Sequence, residues 1–239
     1  MPRFSLSCCA LIAVAAAWAA PALAGGQILP GGAGQMPGGR PTMGGPPPDD
    51  SPPQQSTEKP DVAAAKAYKQ AMKSLDKAKA FEAAAASAPN PDKKAKELEK
   101  LDDAYNRALD QFTEALSNKS DMVEAWNNVG YVHLRLGAYR EAVDDYNHAL
   151  ALKPDLLDAV EGRAEAFLAL DRLDDVRIAY MDLFNHAPDL AARLMAAMQK
   201  WLADRQADPR GMRAGDIDAF GKWLAERESN AKQTASLPH

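Results

Sequence analysis

Asp121, Asp155 and Asp189 stand 34 residues apart, and the segments that follow them can be laid over one another in register. Ala142 falls on Val176, Tyr146 on Tyr180, Ala149 on Leu183, Leu150 on Phe184 and Pro154 on Pro188. A repeat of that length with apolar residues on matched rungs predicts stacked helical hairpins, because one hairpin cannot bury its apolar side without a neighbour. Such a stack offers an extended surface for binding and needs no catalytic centre.

The array does not include the start of the chain. Arg3 supplies a positive n-region, Cys8 to Ala20 is almost wholly apolar, and Ala22-Leu23-Ala24 is a small-residue cleavage signal. Residues 1–24 are therefore expected to be a signal peptide, and their apolar run is shorter than a membrane-spanning helix requires. Cleavage removes Cys8 and Cys9, the two cysteines of the chain, which excludes disulfides, cysteine nucleophiles and thiolate metal sites from the mature protein. The alanine-rich leader is bacterial in character, so the expected location is the periplasm, with nothing spanning the membrane after cleavage. Residues 25–59 run through Gly-Gly, Pro-Gly-Gly and Pro-Pro-Pro with few apolar side chains, and read as a disordered linker.

From Pro60 onward the sequence is rich in alanine and leucine, with helix-compatible charge spacing. Pro60-Asp61, Pro91-Asp92, Pro154-Asp155 and Pro188-Asp189 each suggest a proline outside a helix whose N-cap is the aspartate, and Ser120-Asp121 is similar. The expected helices cover 61–87, 92–117, 121–136, 139–152, 155–170, 173–186, 189–206 and 216–229. They group into an irregular N-terminal hairpin at 60–118, two repeat units at 119–188 and divergent capping helices at 189–230. Residues 231–239 are expected to form a disordered tail.

The unit beginning at Asp121 is the most regular. Trp126, Val129, Gly130 and His133 follow the spacing W-x2-L-G-x2-Y, and Ala142, Tyr146, Ala149 and Pro154 complete it. The unit resembles a tetratricopeptide repeat. Gly130 and Ala142 are small enough to let two helices approach, with Trp126, Tyr146 and Leu150 filling the space around them. Gly137 ends the first helix in a conformation that glycine adopts cheaply. The next unit is degenerate but in register. Val160, Ala164 and Phe167 replace Trp126, Gly130 and His133, Asp171 replaces the turn glycine, and Arg163 takes an apolar position. Tyr180 and Pro188 keep the later rungs. The fold class expected is an all-α solenoid of about four helix pairs.

No chemistry is written into the chain. No two histidines have metalloprotease spacing, no glycine-rich phosphate loop follows a strand, and no serine-nucleophile motif occurs. Acidic doublets such as Asp102-Asp103 and Asp144-Asp145 point about 100° apart on a helix and do not share a site. No catalytic residue, metal site or cofactor is expected. A net charge of −5 argues against a nucleic-acid partner. Residues 59–100 nonetheless carry ten lysines against six acids, and Lys66, Lys69, Lys73 and Lys77 share one helix face.

The resemblance implies that the first helices of successive repeats line a concave face that holds peptides or partner helices. Carried over by position, that groove comprises Glu124, Asn127, Tyr131, Leu134 and Arg135, followed by Asp158, Glu161, Glu165 and Leu168. The basic clamp that some such repeats use for acidic C-termini is absent, since its positions read Asn127, Asp158 and Gly162. The acidic stripe of Asp158, Glu161 and Glu165 favours a basic or amphipathic protein or peptide. Two other readings remain open at this stage. One is self-assembly, with the lysine-rich hairpin of one chain against the acidic array of another, and the other is an enzyme with an unrecognised site.

Overall fold

Among the described residues of the computed structural model, three of the eight helices begin on a proline. The structure describes residues 59–235. The chain divides into two units, Met1–Pro52 and Pro53–His239, and the described residues belong to the second. The expected signal peptide and nearly all of the expected linker lie outside them. The elements are α1 (Pro60–Ala86), α2 (Pro91–Asn118), α3 (Val123–Leu136), α4 (Tyr139–Leu152), α5 (Leu157–Ala169), α6 (Leu173–His186), α7 (Pro188–Ala207) and α8 (Ala214–Ala235). Among the described residues there is no strand, and none of these helices is long and apolar enough to cross a membrane.

The prolines correct the expected caps. Pro60, Pro91 and Pro188 occupy the first helical position, where no backbone donor is needed and proline's fixed φ is already helical. Asp61, Asp92 and Asp189 therefore sit in the first turn and act on the helix dipole, while the side-chain cap of α2 is Asn90, which accepts from the Lys93 amide at 2.9 Å. Asp121 and Asp155 fall ahead of their helices, which start at Val123 and Leu157 behind Met122 and Leu156. At the other end, α8 continues to Ala235, five residues into the expected tail. Nothing between Ser229 and Ala235 is a proline or glycine that would stop it.

Sequential helices pair as hairpins: α1 with α2, α3 with α4, α5 with α6, and α7 with α8. Two apolar cores run through them. One joins α1, α2 and α3 through Leu75, Tyr105, Phe112 and Val132; the other joins α4 to α8 through Tyr146, Leu183, Leu194, Met198 and Phe220. Trp126 packs against both. It is only half-buried, its ring stacks on His148 at 4.4 Å between centroids, and its indole N–H donates to the Ser120 carbonyl at 2.9 Å. It thus bridges cores, where the sequence suggested a filler within one hairpin. At the C-terminal end Trp201 meets Phe220 edge-on at 5.2 Å, and Phe220 stacks with Trp223 at 5.8 Å, so α8 closes the second core with aromatic surface.

Tyr146 explains the small residues around it. Ala142, Ala149 and Ala164 are fully buried, and the tyrosine is 2% exposed among them. A Cβ on Gly130 would lie 3.0 Å from its ring, and one on Gly162 would lie 2.4 Å from its hydroxyl. The ring is therefore packed against the backbones of both α3 and α5, and this one side chain joins two hairpins. The turn after α3 uses Gly137 at φ +79°, as the sequence indicated. Tyr180 is buried at its own rung, while Pro154 lies exposed in a connection and Pro188 exposed at the start of α7.

Candidate functional site

The first helix of every hairpin contributes to one groove of about 430 Å³. From α1 come Leu75 and Lys79, and from α3 come Asn127, Asn128, Tyr131 and Leu134. Asp158, Glu161, Gly162 and Glu165 come from α5, and Arg193 from α7. The Tyr146 ring reaches the floor through the gap that Gly162 leaves. The i, i+3, i+4 spacing along α3 and α5 turns these residues to a common side.

Six of the nine residues carried over by register line the groove: Asn127, Tyr131, Leu134, Asp158, Glu161 and Glu165. Three do not. Leu168 is 5% exposed and belongs to the second core. Arg135 is paired with Glu82 of α1. Glu124 is exposed and lies beside Tyr68, whose hydroxyl is pushed up by burial and then by that carboxylate.

The expected acidic stripe is altered by a residue that the sequence reading missed. Arg193 donates through Nε to Glu161 Oε1 at 2.8 Å and through Nη2 to Oε2, with Asp158 at 3.9 Å. Glu161 is 8% exposed, so this fork supplies the partner that a buried carboxylate requires. The hydrogen bond to Glu161 also holds the Arg193 guanidinium above its ordinary pKa. Glu165 has no such partner. Burial, reinforced by Glu161, raises its pKa, and Arg135 and Arg193 offset this in part.

The walls are held from behind. Asn128 donates to the Tyr68 hydroxyl at 3.1 Å, tying α3 to α1. Lys79 stands 5.6 Å from the centre of the Tyr131 ring. Burial and the adjacent Tyr131 hydroxyl push the Tyr105 hydroxyl up, and burial does the same to Tyr146. The Oδ1 atom of Asn127 is buried without any hydrogen-bond partner. Such an orphaned acceptor costs stability.

Arg193 could have been found by carrying the ladder one unit further, since the 34-residue step from Asp158 lands beside it at Ala192. Leu75 and Lys79 had no such signal, because α1 lies outside the repeat register. Among the described residues no group of three histidine, cysteine, aspartate or glutamate side chains is arranged to hold a metal. His133 lies against buried Asp145, its Nδ1 2.5 Å from the carboxylate, and His148 against Trp126, so both are packing partners.

Comparison with known proteins agrees with this architecture. Residues 123–156 match the tetratricopeptide repeat family model. A search of curated proteins finds no match. Among solved structures, the first TPR of Spaghetti bound to an HSP90 peptide is 18% identical, over 59% of this chain and 94% of that one, with a TM-score of 0.45. MamA is 20% identical, over 65% and 89% of the two chains, with a TM-score of 0.37. The TPR2B domain of yeast Sti1 is 15% identical, over 63% and 98%, with a TM-score of 0.30. Residues 123–156, the unit that α3 and α4 form, are thus a tetratricopeptide repeat.

Proposed function

We propose that this chain is a non-catalytic interaction scaffold of the periplasm that holds a basic or amphipathic segment of another protein in the groove formed by α1, α3, α5 and α7. The observation that carries the reading is one groove of about 430 Å³ whose wall offers Asn127, Tyr131, Leu134 and Glu165 together. Polypeptide ligands bring backbone donors and apolar side chains together, and this lining has a counterpart for each. The basic preference follows from charge. Asp158, Glu161 and Glu165 face two cations, Lys79 and Arg193, which leaves the groove negative. The non-catalytic reading rests on the repeat architecture, which needs no catalytic centre. Export rests on the leader pattern from Arg3 to Ala24.

A photo-crosslinking amino acid at Tyr131, placed in the native cell, tests the assignment. The expected result is a discrete crosslinked partner from Tyr131 and none from Ile178, which is 71% exposed on α6 away from the groove. Crosslinking from Ile178 alone would move the binding surface elsewhere.

A further inference from the structure

We propose that the hairpin of α1 and α2 carries a site for the hydrogen phosphate ion, in a hollow of about 370 Å³ lined by Lys77, Lys100, Asp103 and Arg107. The hollow shares no residue with the groove, so the inference stands apart from whatever the groove holds.

Ser74, Lys77 and Phe81 come from α1, and Lys100, Asp103 and Arg107 from α2. Steps of three and four residues put the last three on one face of α2, with Lys77 reaching the hollow from the other helix. Two contacts fix the frame. Ser74 donates to Gln111 Oε1 at 2.8 Å, which ties the helices together, and the Lys100 ammonium is held 5.7 Å from the centre of the Phe81 ring and 3.0 Å from Glu97. Among the described residues neither Lys77 nor Arg107 forms an ion pair. Like charges gathered on one hollow repel, and an anion placed among them removes that cost. A tetrahedral oxyanion turns oxygens toward several donors at once, and a guanidinium fork takes two of them. Asp103 then selects among such anions. Its ionised carboxylate can only accept hydrogen bonds. Sulfate offers it no proton and is repelled. Hydrogen phosphate keeps one O–H, which donates to the carboxylate while its other oxygens accept from the three cations. A phosphate monoester has lost that proton at neutral pH, its second pKa being about 6, so the free ion fits and the ester does not.

The test titrates the full chain with inorganic phosphate, sulfate or methyl phosphate at constant ionic strength and about pH 7.5, followed by NMR at the backbone amides. Phosphate should give saturating shifts at Lys77 and Arg107 and none at Ile178, and should bind about tenfold more tightly than either other anion, the scale of one hydrogen bond to a charged group. Arg107→Gln should weaken phosphate binding about tenfold, while Lys94→Gln, which removes an exposed charge of α2 outside the hollow, should leave it unchanged. Asp103→Asn should bring sulfate level with phosphate, because the carboxylate that repels it is gone. Both substituted side chains of the hollow are exposed, and an unaltered Ile178 amide verifies that the variants fold. Shifts that never saturate, or equal losses in Arg107→Gln and Lys94→Gln, would mean diffuse attraction to a basic surface and overturn the site. Sulfate or methyl phosphate bound by the natural protein as tightly as phosphate overturns the reading by Asp103, and the assignment of the ion with it.

Discussion

Glu165 shows how a single groove residue can weaken the fold. Its carboxyl is pushed up by burial and by Glu161, and only partly relieved by Arg135 and Arg193. A carboxyl with a raised folded-state pKa contributes stability that is fully present below its unfolded value, about 4.3, and is lost as pH rises through the folded value. At neutral pH the charged side chain therefore destabilises the fold, and Glu165→Gln is expected to melt higher than the natural protein. The gap should close on acidification as the native carboxyl takes up its proton. Thermal melts of both proteins from neutral to about pH 4 check this, and a glutamine variant that melts lower at neutral pH would contradict it. Most of the groove around this residue was legible because helical register fixes which side chains share a face. The exceptions were set by contacts between elements. Leu168 has the register of a groove residue but is buried in the second core, while Lys79 reaches the groove from a helix that follows no repeat.

At the scale of the element, the turn between α5 and α6 shows where sequence comparison misleads. Asp171 stands where the regular repeat has a turn glycine, and by composition alone it is a weakness. It adopts φ +58°, a left-handed conformation that costs most non-glycine residues. Its carboxylate, however, accepts from the Trp201 indole at 3.0 Å and from Arg205 at 3.0 and 2.7 Å, which fastens the turn to α7. Arg205 is 6% exposed, so removing its partner leaves a buried cation uncompensated. Asp171→Gly is therefore expected to destabilise by about 2 kcal/mol even though it relieves the backbone. Asp171→Asn should fall between the two, since it keeps an acceptor without the charge. Urea denaturation of the three proteins decides this, and a glycine variant as stable as the natural protein would sink the argument. Helices α4 and α6 were legible to the residue because their turns are short and their apolar rungs repeat. The starts of α3 and α5 were not, because an aspartate after a serine or proline suits the turn before a helix as well as its cap.

Across the described unit, cooperativity depends on how the two apolar cores communicate. In a stack of hairpins stability is a sum of each hairpin's own terms and the contacts with its neighbours, so weakening one interface can separate what otherwise unfolds together. The first core is anchored by the long α1–α2 hairpin, and the second by the aromatic closure of α7 and α8. Trp126 packs against both, and Tyr146 lies across α3 and α5 just beyond it. A large buried aromatic truncated to alanine costs about 3–5 kcal/mol, and a half-buried one somewhat less. Here that loss falls on the junction. Trp126→Ala is expected to leave helix content nearly intact under native conditions while splitting a single unfolding transition into two. After the substitution Trp201 and Trp223 are the tryptophans of the described residues, and both report on the second core. Their fluorescence should then lose its midpoint at a different denaturant concentration from the far-ultraviolet dichroism that follows every helix. In the natural protein the two midpoints should coincide, as two-state unfolding requires. Coincident midpoints in Trp126→Ala would mean that Tyr146 and the α4–α5 contact couple the cores without the indole, and the bridging role assigned to Trp126 would fail.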